Sequence, residues 1–153
     1  MGIYLNPSNI DFQRAINSEI YIDKSQLIEY TNKKLFTEQQ FICISRPRRF
    51  GKSMAANMLT AYYSRGCDSK EMFSKLKISR ADTFEKHLNK YNVIHINMVN
   101  FLSESQNMDE MIEFIEEDLI DELKNEYPDI RYPKRQNLIK IIAAIFSQTN
   151  IPF

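Results

Sequence analysis

The chain has 153 residues, the size of one ordinary domain, and an apolar fraction of 43%, enough to build a core. That composition excludes a disordered tail and a disulfide-stapled miniprotein. Twenty basic residues stand against twenty acidic ones, so bulk attraction to nucleic acid or to an anionic membrane is not expected, and any basic site must be local.

The start, MGIYLNPSNIDF, has no charged segment leading into an apolar one, and no stretch approaches the roughly 18 uninterrupted apolar residues of a membrane helix. A cytoplasmic protein is the expectation. Asp11 to Asn17 predicts a short helix and Ile20-Tyr21-Ile22-Asp23 a brief apolar strand. Asp23 then stands where a cap would stand for a helix from Ser25 to Lys33, whose apolar side is Leu27, Ile28 and Tyr30. Residues 1–38 read as an N-terminal extension to the main body, 39–153.

Phe41-Ile42-Cys43-Ile44 is a short continuous apolar run rich in β-formers, which predicts a strand covered on both faces. Arg46-Pro47 ends it, because the residue before proline is driven to extended geometry and proline has no N–H for a ladder. From Lys52 the pattern turns helical, with Met54, Met58, Leu59, Tyr62 and Tyr63 recurring at three and four, and Gly66 is the expected helix end. Short helices are predicted over Glu71 to Leu76 and over Asp82 to Leu88, the second capped by its aspartate, and Val93 to Met98 is a second strand candidate. Ser105 to Lys124 carries the clearest amphipathic stripe, with Met108, Met111, Ile112, Ile115, Leu119, Ile120 and Leu123 opposite an acidic face. Lys134 to Gln148 follows as a helix carried by Leu138, Ile141, Ile142, Ile145 and Phe146, with Asn150 as its stop. With no internal repeat and no convincing linker, one domain is expected over 1–153.

The strand–loop–helix order frames the segment with chemistry. Arg46-Pro47-Arg48-Arg49-Phe50-Gly51-Lys52-Ser53 matches the phosphate-loop pattern GxxxxGK[ST] except at its first glycine, where Arg46 stands. A polyphosphate needs several backbone N–H groups converging on its oxygens, and a helix start offers unpaired donors together with the positive end of the dipole. Gly51 lets that backbone approach closely. Lys52 places a point charge between the outer phosphates, and the Ser53 hydroxyl suits Mg²⁺. A bare GK[ST] arises by chance in about one chain of this length in ten, so its specificity comes from its place between an apolar run and an amphipathic helix. The bland alternative is a solvated basic loop at a helix start.

This Ser-Arg-Pro-Arg-Arg-Phe-Gly-Lys-Ser run, preceded by Tyr21-Ile22-Asp23-Lys24-Ser25, resembles the AAA-ATPase-like family of bacterial and archaeal proteins. Phe73 to Ile78 and Val93 to Met98 fall where that family has comparable segments, so the resemblance covers almost the whole chain. In that family an arginine is usual at the position of Arg46. The resemblance implies an α/β, three-layer P-loop NTPase-like fold with parallel strands, incomplete at its C-terminus, and ATP with Mg²⁺ as cofactors. It implies nucleotide contacts from Arg46, Pro47, Arg48, Arg49, Phe50, Gly51, Lys52, Ser53 and Met54, with Lys52 as the catalytic residue and Ser53 on the metal. Arg48 and Arg49 would line the loop or face a partner domain.

The resemblance further implies a C-terminal remainder of the same protein that includes a nuclease-like domain. The acidic strand that would hold Mg²⁺ and position water should begin near Ile151, which leaves ATP binding without hydrolysis as the expectation for this chain alone. The apolar run at Phe41 would then lack its usual neighbours, and the isolated chain would be marginal, oligomeric or dependent on that remainder. Two rival readings are a non-hydrolysing nucleotide-dependent interaction module, and nucleic-acid binding by Arg46, Arg48 and Arg49, which the net charge does not support.

The remaining residues read as structural. Cys43 and Cys67 form neither a CxxC pair nor part of a histidine cluster, and are expected to be reduced and buried. His95, in an apolar run, reads as a packing residue rather than one pointing into the site, His87 in its polar helix suggests nothing, and the tyrosines 62, 63, 127 and 132 read as packing residues. The acids of Ser105 to Lys124 read as a solvated helix face.

Overall fold

The computed structural model describes residues 2–153, and among them the chain is helical: α1 (Ile10–Ile16), α2 (Gln26–Asn32), α3 (Lys52–Tyr63), α4 (Lys70–Ser74), a 3-10 turn (Lys77–Arg80), α5 (Phe84–His87), α6 (Met98–Leu102), α7 (Met108–Glu126) and α8 (Leu138–Thr149). Helix accounts for 49% and strand for 3%, and the described residues form no sheet. The expected three-layer α/β fold with parallel strands is therefore overturned. What β structure the described residues hold is two isolated bridges, Leu5 with Ile94 and Ser64 with Tyr91.

The reason lies in what a strand requires. An apolar β-forming run becomes a strand only when a neighbour takes its N–H and C=O groups, and periodicity says nothing about that neighbour. Phe41 to Ile44 has no such partner among the described residues: it runs as irregular backbone with Phe41 88%, Ile42 37% and Ile44 39% exposed. Cys43 in the same run is exposed rather than buried. Ile20 and Ile22 are likewise exposed and in no strand. The candidate at Val93 to Met98 divides. Its first residues hydrogen-bond to residues 4–6 through Asn6 N–H to Val93 C=O at 2.7 Å and His95 N–H to Tyr4 C=O at 2.9 Å. Its end becomes α6, opened by the Asn97 side chain accepting from the Val99 N–H.

The chain divides into two compact units. The first spans Ser8–Tyr91, and its helices α1 and α3 pack together while α2, α4 and α5 gather on the 3-10 turn. Phe12, Ile28, Met58, Tyr62, Phe73 and Ile78 are essentially sealed from solvent here, and each such side chain contributes roughly 1.5–3 kcal/mol by leaving water. Phe12 stacks on Phe73 at 5.2 Å, and Phe73 meets Tyr62 edge-on at 5.3 Å. The hydroxyls that enter this core are satisfied. Tyr62 donates to the Phe84 carbonyl at 2.6 Å, while Tyr63 donates to Asn32 at 2.7 Å and pairs with Thr31 at 2.6 Å.

Helix α3 ends differently from expectation. Gly66 does not take the left-handed conformation; Asn89 does, with φ 52°. Its side-chain amide donates to the carbonyls of Ala61, Tyr62 and Ser64, and its oxygen accepts the Ser69 N–H. One side chain thus satisfies the orphan carbonyls of a helix end from 25 residues away in sequence. Helix α5 is also shorter than predicted and follows Thr83 rather than Asp82.

The second unit comprises the segment up to Pro7 together with Asn92–Phe153. Helix α7 packs on α6 and α8, and Leu5, Leu123, Ile141 and Ile145 form its sealed core. Asn107 and Asn137 cap α7 and α8 by accepting the N–H of Glu110 and of Lys140, and Asn150 stops α8 in the left-handed region at φ 56° as its position implied. Glu122 departs from the solvated acidic face: its carboxylate takes the backbone N–H groups of Ile3, Tyr4 and Leu5. Tyr127 and Tyr132 place their hydroxyls on Asn92 and on the Tyr127 carbonyl, which makes them packing residues. No helix among the described residues is long and apolar enough to cross a membrane.

His87 is a buried histidine, 4% exposed, with Nδ1 against the Tyr91 hydroxyl. Burial, and secondarily the nearby Lys86 charge, lower its pKa below the ordinary value. The unfolded chain therefore binds a proton that the folded chain resists. The stability this contributes is present in full above the unfolded-state value of about 6.5 and is lost as the pH falls from there through the folded value. Thermal unfolding followed from pH 7.5 to pH 5 should show a falling Tm, and the His87→Gln variant should flatten that dependence; an equally steep fall in the variant would assign it to other groups.

Candidate functional site

The residues from Arg46 to Ser53 form a turn leading into α3. Arg48 and Arg49 make the turn, and two left-handed residues, Arg49 at φ 67° and Gly51 at φ 79°, carry the chain into the helix. For arginine that conformation is uncommon and costs of order 1 kcal/mol, so the surrounding contacts have to impose it. Left-handed residues within a turn are the backbone type that directs successive N–H groups into one concavity.

Those contacts are supplied by two lysines. The Lys52 ammonium folds back from the first position of α3 onto the carbonyl of Arg46 and reaches that of Pro47 at 3.5 Å. The Lys24 ammonium arrives from a separate segment and donates to the Phe50 carbonyl at 3.1 Å. It also lies 3.3 Å from where a Cβ on Gly51 would be. Nothing in the loop motif signals Lys24; the signal, visible only as a run, is its place in Tyr21-Ile22-Asp23-Lys24-Ser25.

The segment carrying Lys24 is pinned on both sides. The Asp23 carboxylate accepts the N–H of Ser25 and of Lys77, each at 2.8 Å, and the buried Ser25 hydroxyl accepts the Ile78 N–H at 3.1 Å. Desolvation pushes the Asp23 carboxyl upward, but its hydrogen bonds from Ser25 and from the Lys77 N–H, with the Lys77 charge, outweigh it and leave the group below the usual carboxylate range. Tyr21 meets Phe12 edge-on at 6.2 Å, and burial, then the Asp23 charge, push its phenol up to about 12.

Helix α3 starts without help from acidic chemistry. No side chain caps it, and its first turn carries no acid, whereas α7 begins with Asp109 and Glu110 and has an asparagine cap. Among the described residues no carboxylate pairs with Lys24, Arg46, Arg48, Arg49 or Lys52. The positive end of the helix dipole and the cations of its loop therefore stand together uncompensated, an arrangement that costs rather than stabilises until an anion joins it.

The expected contact residues divide by position. Arg46 to Phe50 form the loop, Phe50 being 60% exposed; Gly51 is the N-cap; Lys52, Ser53 and Met54 open the helix, Met54 at 38% exposure. The backbone and the lysines suit phosphate oxygens. For Mg²⁺ the loop offers the exposed Ser53 hydroxyl, and no group of three or more His, Cys, Asp or Glu side chains capable of holding a metal occurs among the described residues.

A protein-family model described as Predicted AAA-ATPase matches residues 9–152. Neither the curated proteins nor the solved structures compared with the chain give a match.

Gly51 is the position where the loop depends on a missing side chain. Replacing it with alanine places a Cβ in a left-handed conformation and against the Lys24 ammonium. Gly51→Ala should lower unfolding stability by about 1 kcal/mol or more, read as a lower urea midpoint at unchanged slope; an unchanged midpoint would mean that the left-handed geometry at residue 51 is not held in solution.

Proposed function

The chain belongs to the AAA-ATPase-like family, and from that premise we propose that its Arg46–Ser53 loop is a Walker A-type site that binds the polyphosphate of ATP. The observation that carries the reading is the uncompensated positive charge at the start of α3. A helix of 12 residues whose first turn lacks both an acid and a side-chain cap, entered through a loop of three arginines, has an N-terminal end that an anion stabilises.

Each residue then has a stated task. The N–H groups that open α3 have no intrahelical acceptor and donate to phosphate oxygens. Gly51 keeps the approach free of a side chain. Lys52, already held over the loop by the carbonyls of Arg46 and Pro47, presents its remaining donors to the outer phosphates. Ser53 would hold Mg²⁺, which would supply neutralisation of phosphate charge. Arg48 and Arg49 add charge at the rim. Stabilising developing charge and orienting water are separate requirements of phosphoryl transfer, and the residues of the loop address the first.

Binding of a fluorescent ATP analogue with Mg²⁺ tests the reading. Lys52→Ala should weaken binding by about tenfold or more, the worth of a hydrogen bond to a charged partner, with the far-ultraviolet circular dichroism unchanged. Equal binding by the variant and the parent would contradict it. Single-stranded DNA binding that falls steeply with salt and ignores ATP would instead make the arginines a nucleic-acid contact.

A further inference from the structure

Resting on the phosphate-binding reading of the Arg46–Ser53 loop, we propose that Lys24 is a second phosphate-contacting lysine of that site, delivered from outside the loop and taking an oxygen of the triphosphate alongside Lys52. The loop would then read polyphosphate with two ammonium groups that enter from opposite directions in sequence, one from position 24 and one from α3.

The geometry places the Lys24 ammonium on the part of the loop that matters most. It donates to the Phe50 carbonyl across 26 residues of sequence, and it lies against Gly51, the N-cap of α3. An ammonium has three N–H donors, of which one carbonyl takes one. The others remain on a group set beside Gly51, the N-cap of α3.

The backbone that delivers this lysine is fixed, unlike that of an ordinary surface lysine. Asp23 on one side is tied to the N–H of Lys77, and Ser25 on the other is sealed from solvent with its hydroxyl on the Ile78 N–H. Both anchors hold the segment to the 3-10 turn Lys77–Arg80. Restricting the backbone on either side of an exposed ammonium lowers the entropy lost when that ammonium engages a ligand.

Charge supplies the reason that this ammonium does more than support the loop. A neutral carbonyl at an exposed position gains little from a lysine once water is counted. A second cation set against Gly51, at the positive end of α3, is repelled by that end. No carboxylate among the described residues forms an ion pair with it. Triphosphate reverses the sign of every one of these terms, because it brings several negative oxygens into the space the cations surround.

Calorimetric titration of the whole chain with inorganic tripolyphosphate, and with ATP and Mg²⁺, tests this together with lysine acylation mapped by mass spectrometry. Lys24→Met should weaken both ligands about tenfold or more, and Lys24→Arg, which keeps the charge, should retain most of the affinity. Tripolyphosphate should slow acylation of Lys24 while leaving that of exposed Lys140 unchanged, a protection that a purely structural lysine would not gain. The acylation result on the parent protein decides the matter even where Lys24→Met fails to fold. Parent-like binding by Lys24→Met, with loss in Lys52→Ala, overturns the role of Lys24 and leaves the loop's intact. A parent chain that binds neither ligand overturns both.

Discussion

A helix that begins among cations has to be held against its own electrostatics. Helix α3 opens with N–H groups that no side chain caps, its first residue is Lys52, and the loop before it carries Arg46, Arg48 and Arg49. Aspartate or glutamate in the first turn would relieve this, as it does at α7, and α3 has neither. The left-handed Arg49 adds backbone cost at the same place. A sequence under selection for stability alone has simple substitutions that remove each of these costs, so their coincidence on one short loop supports the proposal that it is a binding site.

The unit formed by Ser8–Tyr91 is built to tolerate that loop. Tyr62 and Met58, on the buried face of α3, are sealed among Phe12, Phe73 and Ile78, which fixes the helix axis by apolar contact. Asn89 satisfies the far end of the same helix with three carbonyl contacts. The Asp23–Ser25 anchor then ties the lysine that touches the loop to the 3-10 turn behind it. The helix is held along its side and at its C-terminal end, and its N-terminal end has neither a side-chain cap nor an acid in the first turn.

The helices were legible because their evidence is internal to each segment. Leu119, Leu123, Ile141 and Ile145 recur at helical spacing and are buried where that spacing put them, and Asn150 ends α8 as expected. The phosphate-loop residues were legible as a pattern, and family membership agrees with the resemblance that pattern carried. The strands were misread because a strand's evidence lies in another segment: Phe41 to Ile44 has the composition of a covered strand and no neighbour to cover it. Contacts made across long separations were invisible for the same reason. The Lys24 contact with Phe50, the Asn89 cap on α3 and the three N–H groups on Glu122 each depend on which segments fold together, and residue type alone does not disclose that.

Amide chemical shifts report directly on the backbone that opens α3, the proposed polyphosphate site. In a titration of the ¹⁵N-labelled chain with inorganic tripolyphosphate at constant ionic strength, the account predicts saturable shifts at the amides of Gly51, Lys52 and Ser53, larger than those at the start of the equally long helix α8. Shifts spread evenly over exposed basic residues, or absent from residues 51–53 at saturation, would contradict it.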